Sequence, residues 1–243
     1  MARRGLGFWQ WFAVVVVKPV MTVWTRRTWL GMEHIPRSGG VIIVPNHLSY
    51  ADPLCSAHYV YDAGRWPRYL GKASVFRVPV VGRILHRCLQ IPVERGTVEA
   101  ARSLDALVAA LGEGGAVIVY PEGTLTRDPD LWPMRGKTGA ARLALATGAP
   151  VVPLAMWGPE KIFDPRRGRV NLRPRIPVTV AAGPPVDLSR WMNTPPTRAT
   201  LEEMTDEIML RIRDLLAGIR GGTPPPLAAR PSRDDVERSG GGA

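Results

Sequence analysis

The stretch VPNHLSYADPL, residues 44–54, places a histidine and an aspartate five positions apart at the end of an apolar run. A histidine, whose ordinary pKa is roughly 6.5, can take a proton from a hydroxyl group near neutral pH. A carboxylate bonded to its second ring nitrogen would fix the tautomer and stabilise the imidazolium that forms. His47 is therefore a candidate general base and Asp52 its orienting partner. The alternative is that Asp52 only caps the next helix and His47 is an ordinary polar residue, and the spacing by itself favours that alternative.

A second polar turn, PEGT, directly follows the apolar run AVIVY and contains Glu122, Gly123 and Thr124. Glycine permits close approach of the backbone, and the N–H groups of a turn at the end of a strand can bind an anion. Glu122 could accept a hydrogen bond from a substrate hydroxyl or orient a nearby cation. For these three residues alone, an ordinary turn is an equally good interpretation.

Two cations lie between these turns in the sequence, Lys72 in LGKASVFRVPVVG and Arg95 in IPVERG. Ammonium and guanidinium groups at such positions could hold a phosphate. Solvated surface cations are the usual alternative for either residue. A covalent enzyme intermediate is not expected, because Ser49 lacks a GxSxG motif and both cysteines, Cys55 and Cys88, lie in apolar contexts.

The elements that must position these residues alternate along the chain. Short apolar runs bounded by glycine or proline predict buried strands, and amphipathic segments between them predict helices. The strand candidates are GGVIIVP, RYLGKA, CLQIPV, AVIVY, VVPLAM and VTVAAG. The helix candidates include DPLCSAHYVY, TVEAARSLDALVAALGEGG, KTGAARLALATG and a segment that begins with Thr200 and Glu203 as a capping box. This alternation predicts an α/β fold with a mixed, largely parallel central sheet flanked by helices. Ligands of such sheets bind beyond the carboxyl ends of the strands, where both polar turns fall.

The chain is predicted to have three parts. Residues 1–30 form an N-terminal membrane-docking segment, residues 31–220 the α/β domain, and residues 221–243 a disordered tail rich in proline, glycine and charge. The apolar part of the first segment is interrupted by Lys18-Pro19 and is shorter than the ~20 residues that a spanning helix needs. Its tryptophans and outer arginines are typical of a helical segment in the membrane interface. A core helix of a globular domain is the alternative, and a full span is less favoured than either.

The formal net charge is +11, and the tail does not supply it, because residues 221–243 hold three arginines and three acids. Such a charge indicates an anionic partner, and we expect an anionic membrane surface or a phosphorylated substrate. A general preference for arginine could explain part of the excess. No nucleic-acid partner is expected, because the sequence shows no helix-turn-helix, finger or aromatic-rich RNA motif. The two cysteines predict neither a disulfide framework nor a metal site, and a reducing, cytoplasm-facing setting is the default.

Four blocks, in this order, resemble the glycerophosphate and lysophosphatidate acyltransferase family. They are NHxSxxD, the basic block from GK through VPVVG to IPVERG, then YPEGT, and then VVPLAMWG. The resemblance covers about residues 30–185, so residues 31–220 would be an acyltransferase domain. It implies that His47 is the general base and that Asp52 orients it. It also implies that Arg95 and the Glu-Gly-Thr turn help to hold a phosphorylated acceptor, and that Pro153 lines the substrate region.

The resemblance further implies a reaction and its substrates. A fatty acyl group would move from acyl-CoA or acyl carrier protein, with no other cofactor, to the free hydroxyl of 1-acyl-sn-glycerol-3-phosphate. The product would be phosphatidic acid for phospholipid biosynthesis, made by a peripheral or monotopic enzyme on the cytoplasmic face of the cell membrane. Leu125 stands where the family usually has an arginine, so Arg127 or Lys137 would have to replace it, or the acceptor differs. The alternatives are another lipid hydroxyl, on a lysophospholipid or a glycolipid, and a non-catalytic lipid-binding role.

Overall fold

The computed structural model describes residues 7–93 and 97–227, and it gives only the backbone of Lys72, Val93 and residues 97–103. The helices are α1 (Phe8–Trp24), α2 (Asp52–Asp62), α3 (Ala73–Phe76), α4 (Val81–Arg87), α5 (Thr97–Gly112), α6 (Gly139–Thr147), α7 (Pro159–Ile162) and α8 (Arg198–Arg220). The strands are β1 (Thr25–Leu30), β2 (Val41–Pro45), β3 (Pro67–Lys72), β4 (Ile91–Val93), β5 (Ala116–Ile118), β6 (Val151–Trp157), β7 (Phe163–Asp164), β8 (Arg169–Val170) and β9 (Ile176–Ala182).

The described strands form a seven-stranded sheet in the order β1-β9-β6-β2-β5-β3-β4, and β7 pairs with β8 in a separate hairpin. In the large sheet β6 and β9 are antiparallel, and the other neighbouring pairs are parallel. The central strand β2 has the sequence VIIVP, and all of its residues are buried. Such a continuous apolar run is what a strand covered on both faces requires. The predicted α/β fold with a mixed, largely parallel sheet is confirmed.

Helices cover both faces of this sheet because successive side chains of a strand point to opposite sides. Ile42 and Val44 belong to a hydrophobic cluster with buried residues of α5, α6 and α8. Val41 and Ile43 belong to a second cluster with buried residues of α1, α2 and β9. The N-terminal helix α1 therefore lies on the same face as α2.

Two elements begin earlier in the chain than the sequence patterns indicate. The sheet already includes Thr25, because β1 pairs in parallel with β9 as an edge strand. The last helix begins at Arg198, and the hydroxyl of Thr197 caps it by accepting a hydrogen bond from the N–H of Thr200 at 3.1 Å. Glu203 does not complete a capping box, since its carboxylate accepts a hydrogen bond from the indole N–H of Trp191 at 3.1 Å.

The helix α1 runs without a break through Pro19, so the expected interruption does not end it. It is fastened to the domain by the ammonium of Lys18, 2.6 Å from Oδ1 of Asp62 in α2, and by the buried side chain of Met21. Eight of its large apolar residues are exposed, from 39% for Val17 to 68% for Val23. They are Phe8, Trp11, Phe12, Val15, Val16, Val17, Val20 and Val23. None of the helices in the described part of the chain has the length and hydropathy needed to cross a membrane.

Candidate active site at the carboxyl edge of the sheet

The two polar turns meet at one edge of the sheet. Strands β2 and β5 are parallel neighbours, with Ile43 opposite Ile118, so the loops that leave their carboxyl ends emerge side by side. A cleft of about 580 Å³ lies between these loops. His47, Thr124 and Arg127 are among the residues that line it. The expected position of a site is therefore an open cleft with a histidine in its wall.

His47 and Asp52 form a hydrogen-bonded pair, with Nδ1 of the ring 2.8 Å from Oδ2 of the carboxylate. Because a carboxylate accepts, Nδ1 carries the proton of the neutral ring and Nε2 is the basic nitrogen. Within the described residues Nε2 has no hydrogen-bond partner. The side chain of His47 is 16% exposed, whereas that of Asp52 is fully buried. This is the geometry that an oriented general base requires.

Asp52 organises the turn before it rather than capping the helix that it begins. The main-chain N–H groups of Leu48 and Ser49 donate to its Oδ2 at 2.5 and 2.9 Å, and no side-chain hydrogen bond caps α2. Burial raises the pKa of Asp52, while the hydrogen bonds from His47 and the two N–H groups oppose that rise. The helix-capping alternative is therefore not what the carboxylate does.

Two further side chains hold the histidine loop in place. The amide of Asn46 donates to the carbonyl of Met156 at 3.0 Å and accepts from the N–H of the same residue at 2.7 Å, which ties the end of β2 to β6. The hydroxyl of Ser49 donates to the carbonyl of Phe163 at 2.7 Å and accepts from the N–H of Ala51 at 3.0 Å. The role of Asn46 cannot be read from the sequence, because that role depends on which strand lies beside β2.

Glu122 links the Glu-Gly-Thr loop to the histidine loop through hydrogen bonds. One carboxylate oxygen accepts from the N–H of His47 at 3.1 Å, and the other accepts from the N–H of Met134 at 2.9 Å. The residue is only 3% exposed. Burial raises the pKa of Glu122 to about 7, and the hydrogen bonds from Met134 and His47 lower it in part. Direct contact between Glu122 and a substrate stays a prediction.

Tyr120, for which the sequence predicts no role, contacts the candidate base directly. Its ring stacks on the imidazole of His47, with centroids 4.1 Å apart and 29° between the planes. Its hydroxyl lies 3.3 Å from Oγ of Ser56, which in turn lies 2.7 Å from the hydroxyl of Tyr69. The signal that could have found it is its position, at the end of an apolar run and immediately before PEGT.

The predicted phosphate-binding cations differ in how closely the structure places them to the cleft. Lys72 is the last residue of β3, whose carboxyl end is at the same edge of the sheet as the cleft, and Arg95 lies outside the described residues. Arg127 lines the cleft. The side chain of Lys137 covers the Glu-Gly-Thr turn, since a Cβ added to Gly123 would come within 3.1 Å of its Nζ. Gly123 itself has a φ of +68°, a conformation that favours glycine.

Pro153, which the resemblance places in the substrate region, is a strand residue. It lies within β6, opposite Val44 of the neighbouring strand, and it is buried. It is not among the described residues that line the cleft. Its contribution to the substrate region stays a prediction.

A histidine hydrogen-bonded to a buried carboxylate, at the carboxyl edge of an α/β sheet and beside an open cleft, is an arrangement suited to activating a hydroxyl group for attack. The chain belongs to the acyltransferase family: the family model described as Acyltransferase matches residues 26–157, which include both loops of the cleft.

Individual relatives agree with this assignment. The 1-acyl-sn-glycerol-3-phosphate acyltransferase of Borreliella burgdorferi is 30% identical over 134 residues, which are 55% of this chain and 52% of that protein. The chloroplastic 1-acyl-sn-glycerol-3-phosphate acyltransferase BAT2 of Brassica napus is 30% identical over 137 residues, which are 55% of this chain and 38% of that protein. The match therefore spans about half, or less, of the length of these relatives.

Among solved structures, the chain is similar to the 1-acyl-sn-glycerophosphate (LPA) acyltransferase PlsC from Thermotoga maritima, with a TM-score of 0.60. The two share 20% sequence identity, and the match covers 86% of this chain and 82% of that one. This likeness supports the fold.

Proposed function

We propose that this protein transfers a fatty acyl group from acyl-CoA or acyl carrier protein to the free hydroxyl of 1-acyl-sn-glycerol-3-phosphate, which gives phosphatidic acid. The observation that carries the proposal is the His47–Asp52 pair, held at 2.8 Å in the wall of a cleft that also contains Arg127. Family membership supports acyl transfer. The names of the relatives support the acceptor.

His47 acts first as a general base in this mechanism. Its Nε2 takes the proton from the acceptor hydroxyl while the hydroxyl oxygen attacks the thioester carbonyl. The tetrahedral adduct then collapses, the carbon–sulfur bond breaks, and the imidazolium returns the proton to the leaving thiolate. Asp52 keeps Nδ1–H in place and stabilises the imidazolium between these steps.

The negative oxygen of the tetrahedral adduct needs N–H donors. The N–H groups at the start of the histidine loop cannot serve, because two buried carboxylates already accept from them. The N–H groups of Thr124 and Leu125 lie in the wall of the cleft and have no hydrogen-bond partner in the described part of the chain. We assign oxyanion stabilisation to this turn, with Glu122 in a positioning role.

The phosphate of the acceptor needs a cation in place of the arginine that Leu125 replaces. Arg127 is exposed and lines the cleft, and Lys137 covers the same turn. We assign phosphate binding to Arg127, assisted by Lys137, while Lys72 and Arg95 stay predicted phosphate ligands. The exposed apolar face of α1 supports docking at a membrane that supplies both lipids.

The test compares two acceptors that differ in one group. Purified protein is given radiolabelled acyl-CoA with either 1-acyl-sn-glycerol-3-phosphate or the same lipid without phosphate, in identical mixed micelles. We expect kcat/KM to be roughly 10- to 100-fold higher for the phosphorylated acceptor, the range of charge-assisted hydrogen bonds. Arg127→Gln should reduce that ratio mainly through KM, whereas Arg142→Gln on α6 should leave it unchanged. Equal kcat/KM for the two lipids would contradict phosphate recognition.

A second candidate acceptor is favoured by one observation, the leucine at position 125. In that case a lysophospholipid or a glycolipid hydroxyl would be acylated faster than 1-acyl-sn-glycerol-3-phosphate in the same assay. A protein that binds these lipids but consumes no acyl donor with any of them would be a lipid-binding protein and not an enzyme.

A further inference from the structure

A strongly basic segment lies beside the cleft. It comprises β7, β8 and the loop that leads to β9, residues 163–175 with the sequence FDPRRGRVNLRPR, and we call it the arginine hairpin. It has five arginines and one acid, Asp164, and residues 166–175 are all exposed. Neither of the two polar turns nor the family blocks includes it.

Most of its charge is not neutralised by the protein. The guanidinium of Arg166 donates to two main-chain carbonyls of the loop that follows the Glu-Gly-Thr turn, and Arg167 lies 3.7 Å from Asp164. The other three arginines form no ion pair with another described residue: Arg169, Arg173 and Arg175. Three guanidinium groups are therefore available to an external anion.

Apolar side chains alternate with these arginines. Leu172 is 81% exposed and Val170 is 50% exposed. Leu172 also lines an open, apolar groove of about 540 Å³ together with Val20 and Val23 of α1. The part of the arginine hairpin that follows β8 is thus continuous with the exposed apolar face of α1.

Hydrogen bonds connect the hairpin to α1 on one side and to the candidate active site on the other. The indole N–H of Trp24 donates to the carbonyl of Asn171 at 2.8 Å. At the base of the hairpin the hydroxyl of Ser49 donates to the carbonyl of Phe163 at 2.7 Å, and Arg166 lines the cleft. The hairpin is therefore attached both to α1 and to the loops of the cleft.

We propose that the arginine hairpin is a second membrane-contact surface and that its occupant is the surface of an anionic bilayer. Leu172 and Val170 enter the headgroup region beside α1, and the unpaired arginines bind lipid phosphates. Exposed apolar residues between basic ones are typical of segments that lie in a membrane interface. A bilayer is favoured over an acidic protein because the 81% exposed Leu172 shares an apolar groove with the exposed valines of α1. Docking through both α1 and the hairpin turns the mouth of the cleft toward the bilayer.

The charge test measures the partition of purified full-length protein onto vesicles of one third phosphatidylglycerol and two thirds phosphatidylcholine, by sedimentation. Arg169→Gln with Arg173→Gln should weaken partition by about five-fold per arginine, on the order of 30-fold for the pair. The matched control, Arg142→Gln with Arg198→Gln, removes the same charge from α6 and α8 on the other face of the sheet and should partition like the unmodified protein. On vesicles of pure phosphatidylcholine, both double variants should match the unmodified protein.

The apolar test uses Leu172→Gln, with Leu210→Gln of α8, which is 42% exposed, as its control. Leu172→Gln should weaken partition onto both kinds of vesicle and Leu210→Gln onto neither. Thermal unfolding confirms that each variant is folded.

If the variant with Arg169→Gln and Arg173→Gln binds anionic vesicles as well as the unmodified protein does, the proposal is wrong. Unchanged vesicle binding with a lost affinity for acyl carrier protein would also overturn it, because the hairpin would then be a protein-docking surface. No acyl donor takes part in the vesicle assay, so its failure is separate from failure of the proposed reaction.

Discussion

The loops around the cleft and the outer surface formed by α1 and the arginine hairpin are built in opposite ways. In the loops, polar groups are buried and held by hydrogen bonds: Asp52 accepts three of them through Oδ2, and Glu122 links two chain segments while only 3% exposed. The buried Oδ1 of Asp52 has no hydrogen-bond partner among the described residues. On the outer surface, Val23 and Leu172 are 68% and 81% exposed beside unpaired arginines. A proton transfer needs atoms held at fixed distances, whereas a fluid anionic surface needs only accessible charge and apolar area. This difference fits the proposal that the loops carry out the chemistry and that the outer surface contacts the membrane.

This contrast predicts how substitutions divide. Removing one partner of a buried hydrogen bond costs about 1–3 kcal/mol, while most exposed substitutions change stability by no more than about 0.5 kcal/mol. Changes in the loops should therefore alter catalysis or stability, and changes on the outer surface should alter membrane binding alone.

The largest effect is expected from His47→Ala. It removes the only basic nitrogen proposed for the reaction, so acyl transfer in mixed micelles should fall by roughly 10²- to 10⁴-fold, the range for a lost general base. The fold should persist, as measured by circular dichroism and thermal unfolding. His34→Ala is the matched control. His34 follows β1, which runs antiparallel to β2, so it lies at the end of the sheet opposite to the cleft. If His47→Ala retains most of the activity, the loops around the cleft do not carry the chemistry that the account gives them.

A smaller and pH-dependent effect is expected from Glu122→Gln. The folded protein keeps this carboxyl protonated up to a pKa of about 7, against an ordinary value of 4.5 in the unfolded chain. Between these two pKa values the folded state therefore binds more protons than the unfolded state. The free energy of unfolding falls as the pH rises through this range. Glutamine cannot titrate, so the stability advantage of the unmodified protein over Glu122→Gln should be greater at pH 5 than at pH 8, by on the order of 2–3 kcal/mol.

Urea unfolding at the two pH values measures this difference. Glu113→Gln is the control, because Glu113 is 65% exposed in its ion pair with Arg68. If the stability difference between the unmodified protein and Glu122→Gln is the same at both pH values, the carboxyl group of Glu122 does not titrate in this range.

The smallest effect is expected from Lys18→Met, which breaks the ion pair between α1 and Asp62. The lysine side chain is 41% exposed, so the pair should contribute no more than about 1 kcal/mol to the free energy of unfolding. Acyl transfer in micelles should stay within about two-fold of the unmodified rate, since the pair lies outside the cleft. A loss of activity as large as that of His47→Ala would show that α1 contributes to catalysis, which would contradict the division between the loops and the outer surface.

The sequence is enough to predict the fold class and the position of the cleft, because β2 and β5 are unmistakable apolar runs and polar turns follow both. The pairing of His47 with Asp52 is also within reach, although its spacing alone does not decide it. Tyr120 and Asn46 are missed because their roles depend on which strands become neighbours. The edge strand β1 is missed because TRRTWL alternates exposed and covered residues and lacks a continuous apolar run.

The start of α8 is missed for a local reason. Thr197 and Thr200 are both suitable caps, and in the structure Thr197 caps the helix while Glu203 accepts a hydrogen bond from Trp191 instead of completing a capping box. The arginine hairpin is visible in the sequence as a run of cations. Only the structure places it between α1 and the cleft.

The most direct measurement of the central claim is a double-mutant cycle on His47→Ala and Asp52→Asn, with single-turnover acyl transfer measured for each variant and for both together. If the carboxylate acts by orienting and stabilising the imidazole, Asp52→Asn should lower the rate strongly when His47 is present and by less than about three-fold when it is absent. An equal loss in both backgrounds would contradict the account, because the two side chains would then act independently.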